Sequence, residues 1–293
     1  MAKDVTSALG QSNRTALILE SGAMRGVYQC GVLKAFKEHN LEFDIVIASS
    51  AGAYNGIRYL SNQMDICEEI YVADLTGRRF IKPWNLFIPG RHFLDLDYLI
   101  DEICGMESKA IDMGAVIRSR SEFYITALEL DTMTTRFFNA KETDIHLLLK
   151  ATAAIPHLYS SKVIINGRRY IDGGLLSPVP LNRAIELGCK ELYVVLNRAA
   201  QDSKPSYTKR LLSKMPGQIM RLMVEHNRLR HEAEQFLSKP HENLSLNVIR
   251  PRQAMPVGRF TSDESKLRLC IDTGYRDGLE FIHSRQIPNH SIQ

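Results

Sequence analysis

Two short apolar runs near the start of the chain, each followed by a turn of small residues and a helical pattern, constrain the fold most. Residues 15–20 (TALILE) and 43–48 (FDIVIA) are almost continuously apolar, which is typical of strands buried on both faces of a parallel sheet. Residues 27–39 and 51–62 follow them with apolar or small side chains at helical spacing. This alternation predicts βαβ units and an α/β fold.

The next segments continue the same rhythm up to about residue 198. Asn166 and Gly167 separate two strand-like runs and predict a tight hairpin, because both turn positions favour a positive φ. Together the patterns predict a three-layer α/β/α sandwich with a mostly parallel central sheet over residues 14–198. The further predicted strands are residues 122–130, 134–138, 162–165, 169–171 and 191–196, and the further predicted helices are residues 144–154 and 180–187.

The composition changes at residues 198–206, a polar stretch with a proline that is typical of a linker or an exposed loop. Beyond it the chain is basic and mostly helical in pattern. We therefore predict that residues 199–293 form a mostly helical C-terminal extension packed on the first unit. Its predicted helices are residues 209–215, 218–237 and 264–283, and its one predicted strand is residues 244–250.

The overall composition excludes several classes of protein. Of the 293 residues, 44% are hydrophobic and 24% are charged, and no apolar run approaches the roughly 18 residues needed to span a bilayer. Residues 1–14 lack a basic head followed by an apolar stretch, so we predict no signal peptide and a cytoplasmic location. A net charge of +4 is too small to indicate a nucleic-acid partner, and five scattered cysteines predict reduced thiols.

Two segments leave peripheral contact with a membrane open. Residues 80–90 contain the only tryptophan, Trp84, among apolar and basic side chains. They form either a lid or lipid-contacting segment, or a loop tucked over the core. Residues 209–230 carry six basic side chains and form either a solvated helix face or a membrane-binding surface. The sequence makes no prediction of the oligomeric state.

The turn after the second predicted strand places a serine in a setting suited to a nucleophile. Its sequence, Ala-Ser-Ser-Ala-Gly at residues 48–52, is a relaxed Gly-x-Ser-x-Gly elbow, in which small neighbours leave room for an exposed hydroxyl. Gly52 lies two positions after Ser50, so the pattern favours Ser50 over Ser49. The helix that follows offers backbone N–H groups to an oxyanion. A tight turn packed with small residues is the alternative interpretation.

Two further turns have features of a catalytic site. Residues 21–26 (SGAMRG) follow the first strand and lead into a helix, so their N–H groups can bind an anion, although they lack the lysine of a P-loop and the spacing of a dinucleotide fingerprint. Asp172 leaves a short strand into two glycines, from where its carboxylate can reach a neighbouring strand end. The alternatives are a tight turn without a ligand and a carboxylate that caps a turn.

In this order the three motifs resemble those of the patatin-like phospholipase family, whose members show G-G-G-x-R-G, G-x-S-x-G and D-G-G/A. The resemblance covers about residues 15–196 and includes the run ATAAIP at residues 151–156. Residues 257–260 (VGRF) and 274–278 (GYRDG) are similar to a bacterial subgroup of the family. The resemblance implies a patatin-like sandwich with a helical C-terminal extension.

The resemblance also implies the activity, that of a lipid acyl hydrolase of the phospholipase A or lysophospholipase type without metal or organic cofactor. Ser50 would be the nucleophile, and Asp172 would accept its proton and later activate the hydrolytic water. The N–H groups of Gly22, Ala23 and Ala51 would form the oxyanion hole. The implied partner is a phospholipid or another acyl ester.

Three residues depart from the family pattern, because Ser21, Ala23 and Ala48 stand where the family has glycine. The backbone N–H groups survive these changes, but a methyl group restricts φ and crowds an acyl site. A weak or silent relative that binds lipid or a protein is therefore one alternative function, and a general carboxylesterase or thioesterase is another. Arg25 matches the family arginine, which implies either contact with a substrate phosphate or bracing of the loop.

Histidine receives no catalytic or metal-binding role from the sequence. His157 follows a proline turn and is interpreted as a surface or packing residue. His226, His231 and His283 lie in the basic C-terminal part, and their spacing does not place ligands on one helical face.

Overall fold

The computed structural model describes residues 14–203 and 217–286, so the helix predicted at residues 209–215 and the end of the predicted linker lie outside the described residues. Within these two ranges eight strands join in a single sheet. The strands are β1 (Thr15–Leu19), β2 (Ile45–Ala48), β3 (Glu122–Glu129), β4 (Thr134–Asn139), β5 (Val163–Ile165), β6 (Arg168–Asp172), β7 (Glu191–Val195) and β8 (Ser245–Ile249).

The sheet is mixed and mostly parallel. Its order is β5-β6-β3-β2-β1-β7-β8, and β4 also pairs with β3. The strands β3, β2, β1, β7 and β8 are parallel to one another, whereas β4, β5 and β6 join by antiparallel pairing. All four residues of β2 are buried, as expected for a strand covered on both faces.

Helices cover both faces of this sheet. In the described ranges they are α1 (Val27–Glu38), α2 (Ala51–Leu60), α3 (Met64–Glu69), α4 (Met113–Arg118), α5 (Ile145–Ala153), α6 (Leu181–Glu186), α7 (Gly217–Leu237) and α8 (Glu264–Gln286). Alternate residues of β1 point to opposite faces. Leu17 and Leu19 pack in one cluster with α1, α2, α5 and α8, while Ala16 and Ile18 pack in another with α6 and α7. The predicted α/β sandwich is confirmed.

β3 brings two distant chain segments together. Its first half pairs with β2, where Ala48 lies opposite Ile125, and its second half pairs with β6, where Asp172 lies opposite Ala127. β4 pairs along both halves, so β2 and β6 share the other edge of β3 and their ends face each other. Ser50 lies two residues after Ala48. On β3, Ala127, the partner of Asp172, likewise lies two residues after Ile125, the partner of Ala48. The register therefore places Ser50 beside Asp172.

The C-terminal region shares the core of the preceding chain. β8 extends the sheet beside β7, and α8 lies along α1. A Cβ atom at Gly31 would lie 2.0 Å from the carbonyl oxygen of Ile271, and one at Gly274 would lie 2.1 Å from that of Tyr28. The two helices therefore touch backbone to backbone, which only glycine allows. The division of the chain at residue 198 stays a prediction.

No helix or strand is predicted from the sequence between α2 and β3. There the chain forms α3, α4 and several single helical turns, including Pro83–Phe87. α2 ends at Leu60, two residues before the predicted end, because Asn62 turns the chain with a positive φ of 60°. None of the helices in the two described ranges combines the length and apolar character needed to cross a membrane.

Candidate active site

Ser50 occupies a strained bend between β2 and α2. Its φ of 54° and ψ of −123° are rare for residues other than glycine. The N–H group of Ser50 donates to Thr152 Oγ1 at 2.8 Å, which holds the bend in place. Gly52 lets α2 approach the end of β1, since a Cβ atom there would lie 2.7 Å from the carbonyl oxygen of Leu19. The sharp turn predicted at residues 48–52 is thus present.

The two serines of this turn have different surroundings. The Ser49 hydroxyl is buried, lies 2.6 Å from Thr126 Oγ1 and donates to the carbonyl oxygen of Ser177 at 2.8 Å. The Ser50 hydroxyl donates to Asp172 Oδ2 at 3.0 Å. Ser49 is therefore occupied in holding neighbouring elements together, and Ser50 is the serine whose hydroxyl meets a carboxylate.

Asp172 ends β6 in a buried position, with only 4% of its surface exposed. Its Oδ1 accepts the N–H of Gly174 at 2.7 Å, while Oδ2 faces Ser50. Burial raises the pKa of Asp172 to about 6, and the hydrogen bonds from Ser50 and Gly174 and the positive charge of Arg259 oppose that rise. A carboxylate with such a pKa can accept and return a proton near neutral pH.

The loop at residues 21–26 lies against the turn that follows Asp172. A Cβ atom at Gly174 would lie 2.5 Å from Ser21 Cβ, so this glycine allows the two turns to touch. Among the described residues no acceptor takes the N–H groups of Gly22, Ala23 or Ala51, and these residues line the cavities beside Ser50. Unbonded N–H groups in such a position are available to an anion.

Ser50 lies between two small cavities. One, of about 60 Å³, has an apolar lining, and the other, of about 50 Å³, contains Asp172. The apolar cavity is enclosed by aromatic and aliphatic side chains from α2, α5 and the segment between α2 and β3, among them Tyr54, Tyr71, Phe80, Leu96, Leu99 and Leu149.

Two residues to which the sequence assigned no role line the cavity of Asp172. His226, on α7, is buried, and its Nδ1 lies 2.9 Å from the carbonyl oxygen of Gly174. Its Nε2 lies 3.1 Å from Arg259 Nη2. Because a guanidinium can only donate, Nε2 accepts and Nδ1 carries the proton that Gly174 receives. Burial and the charge of Arg259 lower the pKa of His226 to about 4, so the ring is neutral near pH 7.

The sequence does not reveal the position of His226, because spacing along one helix does not show what the helix packs against. Arg259 has one signal in the sequence, since it lies in residues 257–260, which resemble a bacterial subgroup of the family. This resemblance does not indicate where the segment lies in the fold. His157, His231 and His283 are exposed and do not line either cavity.

Arg25 lies away from the two cavities beside Ser50. It lines a separate cleft of about 510 Å³ together with Asn197 and Arg198. The N–H of Arg25 donates to the carbonyl oxygen of Gly22 at 3.2 Å, so its backbone closes the turn that carries the loop.

One cluster in the described part of the chain could offer three ligands to a metal ion. It consists of His92, Asp95 and Asp97, whose ligand atoms lie within 4.8 Å of one another. Asp95 pairs with Lys82, and Asp97 pairs with Lys150 and accepts a hydrogen bond from Tyr159. The lysines already balance the carboxylates, and this cluster is outside the cavities of Ser50.

A family model described as patatin-like phospholipase matches residues 17–185, which is more than half of the chain. The chain belongs to the patatin-like phospholipase family. The resemblance inferred from the three motifs is thereby confirmed, and membership places the chain among lipid ester hydrolases at the level of the family. A second model, described as a domain of unknown function (DUF6363), matches residues 217–286, the region that contributes His226 and Arg259.

Similar proteins add little about the reaction. The uncharacterized protein YjjU of Escherichia coli is 29% identical over 250 residues, which are 82% of this chain and 69% of YjjU. An uncharacterized NTE family protein of Mycobacterium tuberculosis is 24% identical over 209 residues, which are 70% of this chain but only 56% of the mycobacterial protein. The crystal structure of VipD from Legionella pneumophila matches 93% of this chain and 67% of VipD with a TM-score of 0.51 and 12% identity. This last likeness shows the fold alone.

Proposed function

We propose that this patatin-like protein hydrolyses the acyl ester bonds of lipids, as a phospholipase A or lysophospholipase, through a Ser50–Asp172 dyad. The observation that carries the proposal is the 3.0 Å contact between Ser50 Oγ and Asp172 Oδ2 at the boundary of an apolar cavity and the cavity that contains Asp172. The apolar cavity suits the acyl chain, and the cavity of Asp172, which offers polar and charged groups, suits the alcohol part of the ester. The family membership supports the same chemistry.

The reaction needs four proton transfers through one carboxylate, two in each half of the cycle. Asp172 takes the proton of Ser50 as Oγ attacks the ester carbonyl, while the N–H groups of Gly22, Ala23 and Ala51 stabilise the oxyanion. The tetrahedral intermediate then expels the alcohol, which takes the proton from Asp172 and leaves an acyl-serine. Asp172 next removes a proton from water, which attacks the acyl group; the bond to Ser50 Oγ then breaks, Asp172 returns the proton to Ser50 Oγ, and the acid is released.

A fluorophosphonate probe tests this proposal. It phosphonylates an activated serine, so we expect mass spectrometry to locate the adduct on Ser50 and no adduct in Ser50→Ala. Asp172→Asn removes the base and should lower kcat/KM for an acyl ester by about 10³-fold or more. His157→Ala, a histidine outside both cavities, is the matched control and should change kcat/KM little.

Folded protein that never carries the adduct would contradict the proposal and favour the silent lipid-binding alternative. A comparison of phospholipid vesicles with short soluble esters and thioesters addresses the other alternative. A lipid hydrolase cleaves the vesicle substrate in preference to the soluble ones. Equal or better cleavage of soluble esters would instead indicate a general carboxylesterase or thioesterase.

We also propose that the protein meets its substrate at a membrane surface through the turn at Pro83–Phe87 and its neighbours. Trp84, Leu86 and Ile88 expose 69%, 52% and 43% of their surfaces. Such a cluster of large apolar side chains is typical of a segment that enters a lipid interface. Basic residues flank this turn in the sequence, at residues 78–82 and at Arg91. Their positive charge favours binding to a membrane that contains anionic lipid.

The fluorescence of Trp84 measures this contact directly, because it is the only tryptophan in the chain. We expect its emission to shift to the blue when phosphatidylglycerol vesicles are added, and Leu86→Asp to weaken the vesicle affinity about tenfold. Ile117→Asp, which changes an equally exposed residue elsewhere, is the matched control. An emission maximum that does not move at saturating lipid would rule out this contact surface.

A further inference from the structure

Residues from two regions of the chain line the cavity that contains Asp172. Ser50, Asp172 and the loop at residues 21–26 come from the region that matches the patatin-like model. Met223, His226 and Arg259 come from the region that matches a domain of unknown function. The C-terminal region therefore supplies side chains next to the proposed nucleophile, in addition to packing on α1.

Contacts of its backbone, of its side chain and of the next residue fix Arg259 beside this cavity. Its carbonyl oxygen accepts the N–H of Met24, in the proposed oxyanion loop, at 3.3 Å. Its Nη2 donates to His226 Nε2 at 3.1 Å. The next residue, Phe260, packs edge-on against Phe93 with 5.0 Å between ring centroids. The guanidinium is thus positioned relative to Ser50 by contacts on both its backbone and its side chain.

Arg259, a permanent cation, lies beside the ester that the proposed reaction cleaves. His226 accepts through Nε2 and is neutral near pH 7, so its contact orients the guanidinium and adds no charge of its own. The charge of Arg259 is close enough to lower the pKa of Asp172 against the effect of burial. Among the residues lining this cavity, Asp172 and Arg259 are therefore the two charged groups.

We infer that Arg259, oriented by His226, recognises a phosphate group of the substrate, and that the C-terminal region thereby selects phosphate-bearing acyl esters over neutral ones. The inference rests on the proposed ester hydrolysis and adds a specificity-determining residue to it. A planar guanidinium pairs with phosphate through two parallel hydrogen bonds, which suits a group fixed in direction as Arg259 is. His226 is a positioning residue in this arrangement, since it acts through Arg259.

Two soluble substrates with the same acyl chain test the inference, 1-hexanoylglycerol 3-phosphate and 1-hexanoylglycerol. The measured quantity is the ratio of their kcat/KM values, phosphate-bearing over neutral. We expect Arg259→Gln to lower this ratio about tenfold to a hundredfold, as the loss of a charge-assisted hydrogen bond predicts, and Arg259→Lys to restore part of it. Arg252→Gln, at an arginine of the same segment that is 76% exposed and pairs with Glu280, should leave the ratio unchanged.

Binding gives a second measurement that does not need turnover. Ser50→Ala should bind 1-hexanoylglycerol 3-phosphate more tightly than 1-hexanoylglycerol in a calorimetric titration, and this preference should disappear in Ser50→Ala with Arg259→Gln. Equal affinities in Ser50→Ala, or an unchanged kcat/KM ratio in Arg259→Gln, would overturn the inference. The proposed hydrolysis fails separately, if fluorophosphonate does not label Ser50 in the native chain, because that probe carries no glycerol phosphate.

Discussion

The burial of the Asp172 carboxyl group gives it a pKa suited to proton transfer but lowers the stability of the folded state at neutral pH. Burial raises its pKa from 3.8 to about 6, so its charged form destabilises the folded state. The carboxyl contributes most to stability below about pH 4, and that contribution is lost as the pH rises through about 6. The amide side chain introduced by Asp172→Asn does not titrate, so we expect the free energy of unfolding of this variant, relative to the native chain, to rise by about 2 kcal/mol between pH 4 and pH 8. Urea unfolding at both pH values measures the difference.

Asp272→Asn, on the exposed face of α8, shows the effect of the same substitution outside the cavity. A stability difference for Asp172→Asn that stays constant from pH 4 to pH 8 would contradict the raised pKa. The expected rise means that the substitution predicted to remove activity costs less stability at pH 8 than at pH 4, which separates the chemical role of Asp172 from a structural one.

Ala23 is a second residue whose backbone is strained, with a positive φ of 49°. That conformation costs a residue with a Cβ atom about 1–2 kcal/mol, whereas glycine adopts it freely and loses about 0.5–1 kcal/mol through chain entropy. We expect Ala23→Gly to raise the free energy of unfolding by about 0.5–1 kcal/mol and to retain the N–H group of the loop. Urea unfolding measures this, and Ala115→Gly, in the ordinary helix α4, should instead lose about 1 kcal/mol. A less stable Ala23→Gly would show that the methyl group contributes packing that outweighs its strain.

At the scale of elements, the contact between α1 and α8 depends on glycines. A Cβ atom at Gly274 would lie 2.1 Å from the carbonyl oxygen of Tyr28, a backbone atom that cannot move without its helix. We expect Gly274→Ala to lower the free energy of unfolding by about 3 kcal/mol or more, because the helices must separate. Thermal unfolding compares it with Gly217→Ala, a helical glycine that has no heavy atom of the described residues within 4 Å of its added Cβ. Equal melting temperatures for the two variants would contradict the packing.

The elements that could be predicted are those with a local cause. The strands β1 and β2 and the turns after them follow from apolar runs that end in small residues, and the hairpin at Asn166 follows from turn chemistry. The sharing of one edge of β3 by β2 and β6 has no local signal, because strand register depends on residues far apart in the chain. The sequence predicts no element between α2 and β3, since single turns and six-residue helices carry no periodicity long enough to recognise.

At the scale of the whole molecule, some residues of the candidate site have a local signal in the sequence and others have none. Ser50 and Asp172 could be selected from sequence because each lies in a short motif at the end of a strand. His226 and Arg259 could not, because they reach the cavity through the packing of α7 and of the loop before α8. A motif reflects the local conformation of the backbone, whereas the lining of a cavity by two distant regions of the chain can be seen only in the folded structure.

The parallel pairing of β8 with β7 and the burial of α1 under α8 also bear on how the chain is made. A ribosome that has translated residues 14–198 has produced Ser50, Asp172 and the loop at residues 21–26, but neither α7, β8 nor α8. In such a nascent chain one edge of β7 and the apolar face of α1 are uncovered, the kind of surface that chaperones and proteases engage. Synthesis of the last strand and helix therefore covers both surfaces.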